Sequence, residues 1–141
     1  MTYTVRIPAP TGRTGRAVWL SENDRPHRYE RARNVKKWRE ATVMFARVAR
    51  LPKGLQRVRI EAVLTFDTRR HRDEHNYTPT LKAIVDGLGP DKSRITKTGK
   101  LISAPGHGLI PDDTPAHLIG PHIRISDVLG APSVLLTIEE A

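Results

Sequence analysis

The sequence predicts one small domain of mixed α and β class, and three observations predict it. The chain has 141 residues, a length that fits a single domain. Several segments alternate apolar and polar residues with the strand period. Two others carry apolar residues three and four apart, the helical spacing. Hydrophobic residues make up 38% of the chain, enough for one modest core with little to spare. There is no internal repeat and no second block of composition, so residues 1–141 read as one domain.

Thr2 to Ile7 places Tyr3, Val5 and Ile7 on one side, and Pro8 and Pro10 end that strand. Thr11 to Arg16 is a turn-rich basic loop, Ala17 to Leu20 a short strand, and Ser21 to His27 another turn. Arg28 to Arg50 reads as a helix whose stripe is Val35, Trp38, Ala41, Phe45 and Val48. Its remaining surface carries Arg31, Arg33, Lys36, Lys37, Arg39, Arg47 and Arg50. That surface fits either a DNA-facing helix or a solvated one, and the sequence leaves both open. Leu51-Pro52-Lys53-Gly54 stops the helix.

Val58 to Phe66 is the clearest strand. Thr78-Pro79 has the form of an N-cap followed by proline, which opens a helix running to about Leu88. Leu81, Ile84, Val85 and Leu88 form its buried face, and Lys82 and Asp86 are spaced to pair off that face. Gly89 to Gly108 has the composition of a flexible basic loop, carrying Lys92, Arg94, Lys97 and Lys100. His117 to Ile125 and Val134 to Ile138 are strands joined by a short turn.

Lys and Arg number 24 against 15 Asp and Glu, a formal charge of +9 that favours a nucleic-acid partner. The absence of cysteine excludes disulfides and thiolate zinc sites. No apolar run reaches the length of a membrane span, and the first residues do not read as a signal peptide. The expected compartment is therefore the reducing cytoplasm, with no membrane partner.

Acidic residues stand out against this basic background. Asp73 falls in a polar turn between a strand and a helix, and Asp112 and Asp113 are adjacent. Carboxylates held close together stay ionised only when a cation sits between them. Short acidic side chains suit a hard ion such as Mg²⁺. Such ions assist phosphodiester hydrolysis, and a lysine, here Lys82, can steady the added negative charge. Chemistry alone reaches only a metal-dependent nuclease. His71 to His75 also fits the zinc-peptidase pattern H-x-x-E-H. That chemistry needs a helix, which the strand before it and Thr78-Pro79 after it argue against.

The chain resembles the RusA family of Holliday junction resolvases, in its phage and actinobacterial form. The likeness rests on Y-T-V-R-I-P-A-P-T at the start, on R-R-H-R-D-E-H-N-Y-T-P-T-L-K-A-I-V-D-G-L in the centre, on L-I-P-D-D and on V-L-L-T-I-E-E. It implies a small α+β domain, with a mixed β-sheet packed by two main helices, that acts as a homodimer. It implies Mg²⁺-dependent cleavage of four-way junctions and other branched DNA. Asp73 and Asp113 match the family's metal-binding aspartates, with Asp112 beside them, and Lys82 matches its essential lysine. Arg69, Arg70, Arg72 and Asn76 match its basic run and motif asparagine, and are expected to contact DNA. His75 stands where the family has a second turn aspartate, which leaves His75 or Glu74 to supply a ligand. Three extra residues separate Asn76 from Lys82. The rival reading is a module of the same fold that binds branched DNA without cutting it.

Overall fold

The computed structural model describes residues 1–23 and 27–141. In chain order the elements are β1 (Thr2–Pro8), α1 (Arg28–Val48), β2 (Val58–Thr65), a 3-10 turn (Glu74–Tyr77), α2 (Thr78–Leu88), β3 (Lys92–Ile95), β4 (Leu101–Ala104), β5 (Leu118–Ile125) and β6 (Ser133–Glu140). Strands β1, β6, β2 and β5 form one sheet in that order. β6 is antiparallel to both β1 and β2, while β5 is parallel to β2, so the sheet is mixed. Two helices complete the expected α+β domain. The turn expected over Ser21 to His27 lies partly outside the described residues. No described helix is long and apolar enough to cross a membrane.

Register explains which face of the sheet is covered. Val5, Leu136, Ala62 and Ile123 lie in one cross-strand row, and Ile7, Val134, Leu64 and Ile125 in the next. Successive side chains alternate faces, so these rows share one side. They join Trp38 of α1 and Leu81, Ile84 and Leu88 of α2 in a single core. Arg6, Arg59, Glu61 and Arg124 occupy the exposed positions between them.

The buried line of α1 is Trp38, Thr42 and Ala46, not the full predicted stripe. Val35, Ala41 and Phe45 flank it, and Val48 is 71% exposed. The helix stops at Val48 rather than Arg50, because Arg50 takes a left-handed φ of 54° and the Leu51 amide turns back to the Ala46 carbonyl. Thr42 tolerates burial because its hydroxyl donates to the Trp38 carbonyl.

Ala17 to Leu20 does not form the expected strand; only an isolated bridge joins Ala17 to Thr11. Its backbone groups have other partners. Trp38 Nε1 donates to the Val18 carbonyl at 2.7 Å. The Thr80 hydroxyl accepts from the Leu20 amide at 2.9 Å and donates to the Leu20 carbonyl at 2.7 Å. One side chain of α2 thereby replaces a neighbouring strand.

Thr78 is not the N-cap of α2. It is already helical, and Tyr77 holds the cap position without a side-chain bond. The Thr78 hydroxyl donates back to the His75 carbonyl at 2.9 Å, and Pro79 keeps its expected place in the first turn. The region 89–108 is also more ordered than its composition suggests. β3 and β4 pair as a hairpin, with Ile95 opposite Leu101. Its turn is closed by the Thr96 amide on the Lys100 carbonyl and the Gly99 amide on the Thr96 carbonyl, with Gly99 at φ +83°. Every residue of β3 and most of β4 are exposed, so no buried side sorts polar from apolar positions.

Helix α2 approaches α1 closely at Gly87. A Cβ there would lie 2.9 Å from both the Arg39 carbonyl oxygen and Thr42 Cβ. Alanine gains about 1 kcal/mol of helix propensity over glycine. Overpacking costs about 1–3 kcal/mol, and here the obstruction includes backbone. Gly87→Ala is therefore expected to lower stability in urea unfolding, and Gly87→Val to lower it further.

Candidate functional site

Two short segments, one on each side of the start of α2, build the site. The first follows β2. Arg72 lays its guanidinium 3.9 Å from the centre of the Phe66 ring and donates to the Thr68 carbonyl and hydroxyl. Phe66 is held in turn by Trp19, at 4.5 Å between ring centres, and by Tyr77, at 5.1 Å. The loop after β2 is thus pinned to an aromatic cluster. Asp73 then caps the 3-10 turn, its carboxylate accepting from the His75 amide at 3.0 Å. The Asn76 amide bonds the Asp73 carbonyl, and the Asn76 carbonyl accepts from Glu22.

These contacts shape a cavity of about 450 Å³, lined by Ser21, Arg70, Arg72, Asp73 and Asn76 among others. A larger one, about 800 Å³, lies against the aromatic cluster and takes in Arg16, Trp19, Phe66, Arg70 and Arg72. Its lining joins three arginines and three aromatic rings, a combination that suits stacked bases and phosphates, with two carboxylates, Glu30 and Asp67, among them. Arg72 Nε is shielded from solvent without a partner there.

The second segment follows the hairpin. Backbone bonds from His107, Gly108 and Leu109 to the carbonyls of Gly87, Gly89 and Leu88 clamp it to the end of α2. Buried Leu109 and Ile110 anchor it, which brings Asp112 and Asp113 out on the far side. Asp112 is exposed, and its carboxylate accepts from the Asp113 amide at 2.8 Å. Asp113 lines a small cavity of about 220 Å³ together with Thr78, Lys82, Gly120 and Pro121. Gly120 makes its wall possible. It sits at φ +99°, where a Cβ would lie 2.6 Å from the Ile60 carbonyl oxygen. The β2–β5 register slips at this point, a bulge of the kind that often borders a site.

Lys82 and Asp113, distant in sequence, therefore meet at one cavity. Asp73, Asn76, Arg70 and Arg72 meet at the neighbouring one, and Asn76 and Thr78 link the two along the chain. Arg69, His75 and Asp112 line neither cavity. Among the described residues no three His, Asp or Glu side chains gather in a group able to hold a metal. His71 and His75 do not share an α-helix, so the zinc-peptidase geometry does not arise.

Lys82 does not pair with Asp86 as expected; Asp86 pairs with Lys92 at 3.4 Å. That leaves Lys82 exposed and without an ion pair among the described residues. Sequence reasoning missed Arg16 and Trp19 as cavity residues. Only the scarcity of tryptophan, two in the chain, hinted at a structural centre there.

No protein-family model matches the chain, and no curated protein matches it either.

The two aspartates have different structural duties. Asp73→Ala removes a cap and is expected to cost about 1 kcal/mol. Asp113 is exposed, and its side chain accepts no hydrogen bond from the described residues. Asp113→Asn should stay within about 0.5 kcal/mol of the parent. Urea unfolding of both variants checks the contrast.

Proposed function

We propose that this chain recognises branched DNA and cuts it as a RusA-like junction endonuclease, with Mg²⁺ as cofactor. The observation that carries the reading is the meeting of Lys82 and Asp113. The resemblance singles out both residues from separate motifs, and they line one exposed cavity. An ammonium with no carboxylate partner is a compact point charge suited to a phosphate. Arg70 and Asn76, at the cavity on the other side of the start of α2, supply further phosphate donors, and the charge of +9 supplies long-range attraction. Two copies would set two sites on opposed strands, since a four-way junction has two-fold symmetry.

The bound ion would polarise the scissile phosphate and activate water. Asp113 and Asp73 are the residues to hold it, but they line separate cavities and no three-ligand group forms. The carboxylates as placed do not fit a complete ion site among the described residues. That observation favours a second reading, a non-cleaving module that holds branched DNA through the same basic surfaces.

A labelled four-way junction incubated with protein and Mg²⁺ distinguishes the two. Paired symmetrical nicks support the nuclease; tight binding without nicks under any divalent ion supports the module. For the nuclease, Lys82→Ala should fold and bind junctions yet cleave about a hundredfold more slowly, since one charge stabiliser contributes about 3 kcal/mol to the barrier. Asp113→Asn should abolish nicking and retain binding. Under either reading, log K should fall with log salt at about −0.9 per phosphate contact. A flat salt response would remove nucleic acid as the partner.

A further inference from the structure

The hairpin β3–β4 stands apart from the rest of the fold in two ways. Its base is fixed and its tip is bare. At the base, the Asp91 carboxylate accepts from the Gly106 amide at 2.8 Å, and Arg39 Nη2 donates to the Ala104 carbonyl at 3.0 Å. Gly106 lies so close to Gly89 that a Cβ would fall 2.2 Å from its carbonyl oxygen. Lys92 pairs with Asp86, which lies one helical turn beyond Lys82 on the exposed edge of α2. The hairpin therefore rises from the same edge that carries the candidate site.

At the tip, Ile95 and Leu101 are cross-strand partners on one side of the ribbon. They are 73% and 65% exposed. Ile102, on the opposite side, lines a groove against α1. Arg94, the cross-strand partner of Ile102, lies on the other side of the ribbon, and Lys97 and Lys100 belong to the turn and its end; none of the three forms an ion pair among the described residues. The turn between the strands is closed by two backbone bonds and by the Thr96 hydroxyl, which accepts from the Lys100 amide. This is a braced ribbon that carries an exposed apolar pair and three cations close to it in sequence.

We infer that the hairpin is a DNA-contacting arm. Its cations hold phosphates, and Ile95 with Leu101 packs against bases exposed at a branch point. The inference rests on the branched-DNA reading above and adds to it the element that distinguishes a branch from a plain duplex. Three physical points support it. A two-stranded ribbon has the width that the major groove admits. Apolar side chains such as Ile and Leu are frequently inserted between base steps, which unstacks them. The unpaired positive charge on the ribbon complements a polyanion.

The test compares a synthetic four-way junction with a linear duplex of matched length, each carrying 2-aminopurine at the equivalent position. Wild type should bind the junction more tightly and raise the fluorescence at the branch. Ile95→Ser with Leu101→Ser should lower junction affinity at least tenfold, abolish the fluorescence rise and leave duplex affinity within about threefold. Lys97→Gln with Lys100→Gln should weaken both substrates and flatten the salt slope by about 2, one unit per lost phosphate contact. Unchanged junction affinity and fluorescence in the serine variant, with wild type still preferring the junction, would overturn the arm alone. A wild-type chain with no preference for the junction would overturn both the arm and the reading beneath it. A changed oligomeric state in place of changed DNA affinity would assign the tip to protein contact and overturn the arm. Matching thermal unfolding of the variants and wild type confirms that the exposed substitutions leave the fold intact.

Discussion

The burial of α2 is the constraint from which the rest of the structure follows. Seven of its residues, Thr80, Leu81, Ala83, Ile84, Val85, Gly87 and Leu88, are shielded from solvent. Gly87 brings it against α1, and Leu81, Ile84 and Leu88 share a core with the sheet. A helix enclosed on so many sides has one narrow edge left for polar groups. Lys82 and Asp86 occupy that edge, and each has a use: Asp86 fixes the hairpin through Lys92, while Lys82 faces a cavity. The same helix organises its surroundings through backbone bonds. Thr80 holds Leu20, and the carbonyls at its end hold His107 to Leu109, which sets the position of Asp113.

Electrostatics then separates two kinds of cation. Some are committed to the fold: Arg72 lies on Phe66 and binds Thr68, Lys37 donates to the Thr11 carbonyl, and Arg39 holds the hairpin base. The side chains of Arg70, Lys82, Arg94, Lys97 and Lys100 form no ion pair or hydrogen bond with the described residues, and they lie at the cavities and on the hairpin. The formal charge of +9 overstates the surface available to a partner, because several arginines serve as struts.

Much of this was legible in the sequence where one face of an element is buried. β1, β2, β5 and β6 each alternate, since their inner rows meet the core and their outer positions meet solvent. Legibility failed where that contrast is missing. The hairpin was hidden because both of its faces are wet, and Ala17 to Leu20 was misread because Thr80 and Trp38, remote in sequence, take its backbone bonds. The stripe on α1 was placed one residue off along its later turns because a buried threonine, satisfied by its own helix, replaces an apolar residue. At the site, Lys82 could be read from helical phase alone. Its meeting with Asp113 could not, because that depends on a bulge at Gly120 and on the ladder that ties residues 107–109 to α2.

The central claim is that the open edge of α2, with Asp113 opposite, is where this chain meets DNA. Amide hydrogen exchange with and without a four-way junction tests it most directly, since exchange reports protection segment by segment. The account predicts slowed exchange in residues 73–82, in 93–103 and around Asp113 when the junction is added, with little change along the outer basic face of α1. Protection confined to Arg31, Arg33, Lys36 and their neighbours on α1, with residues 73–82 and Asp113 unchanged, would contradict it.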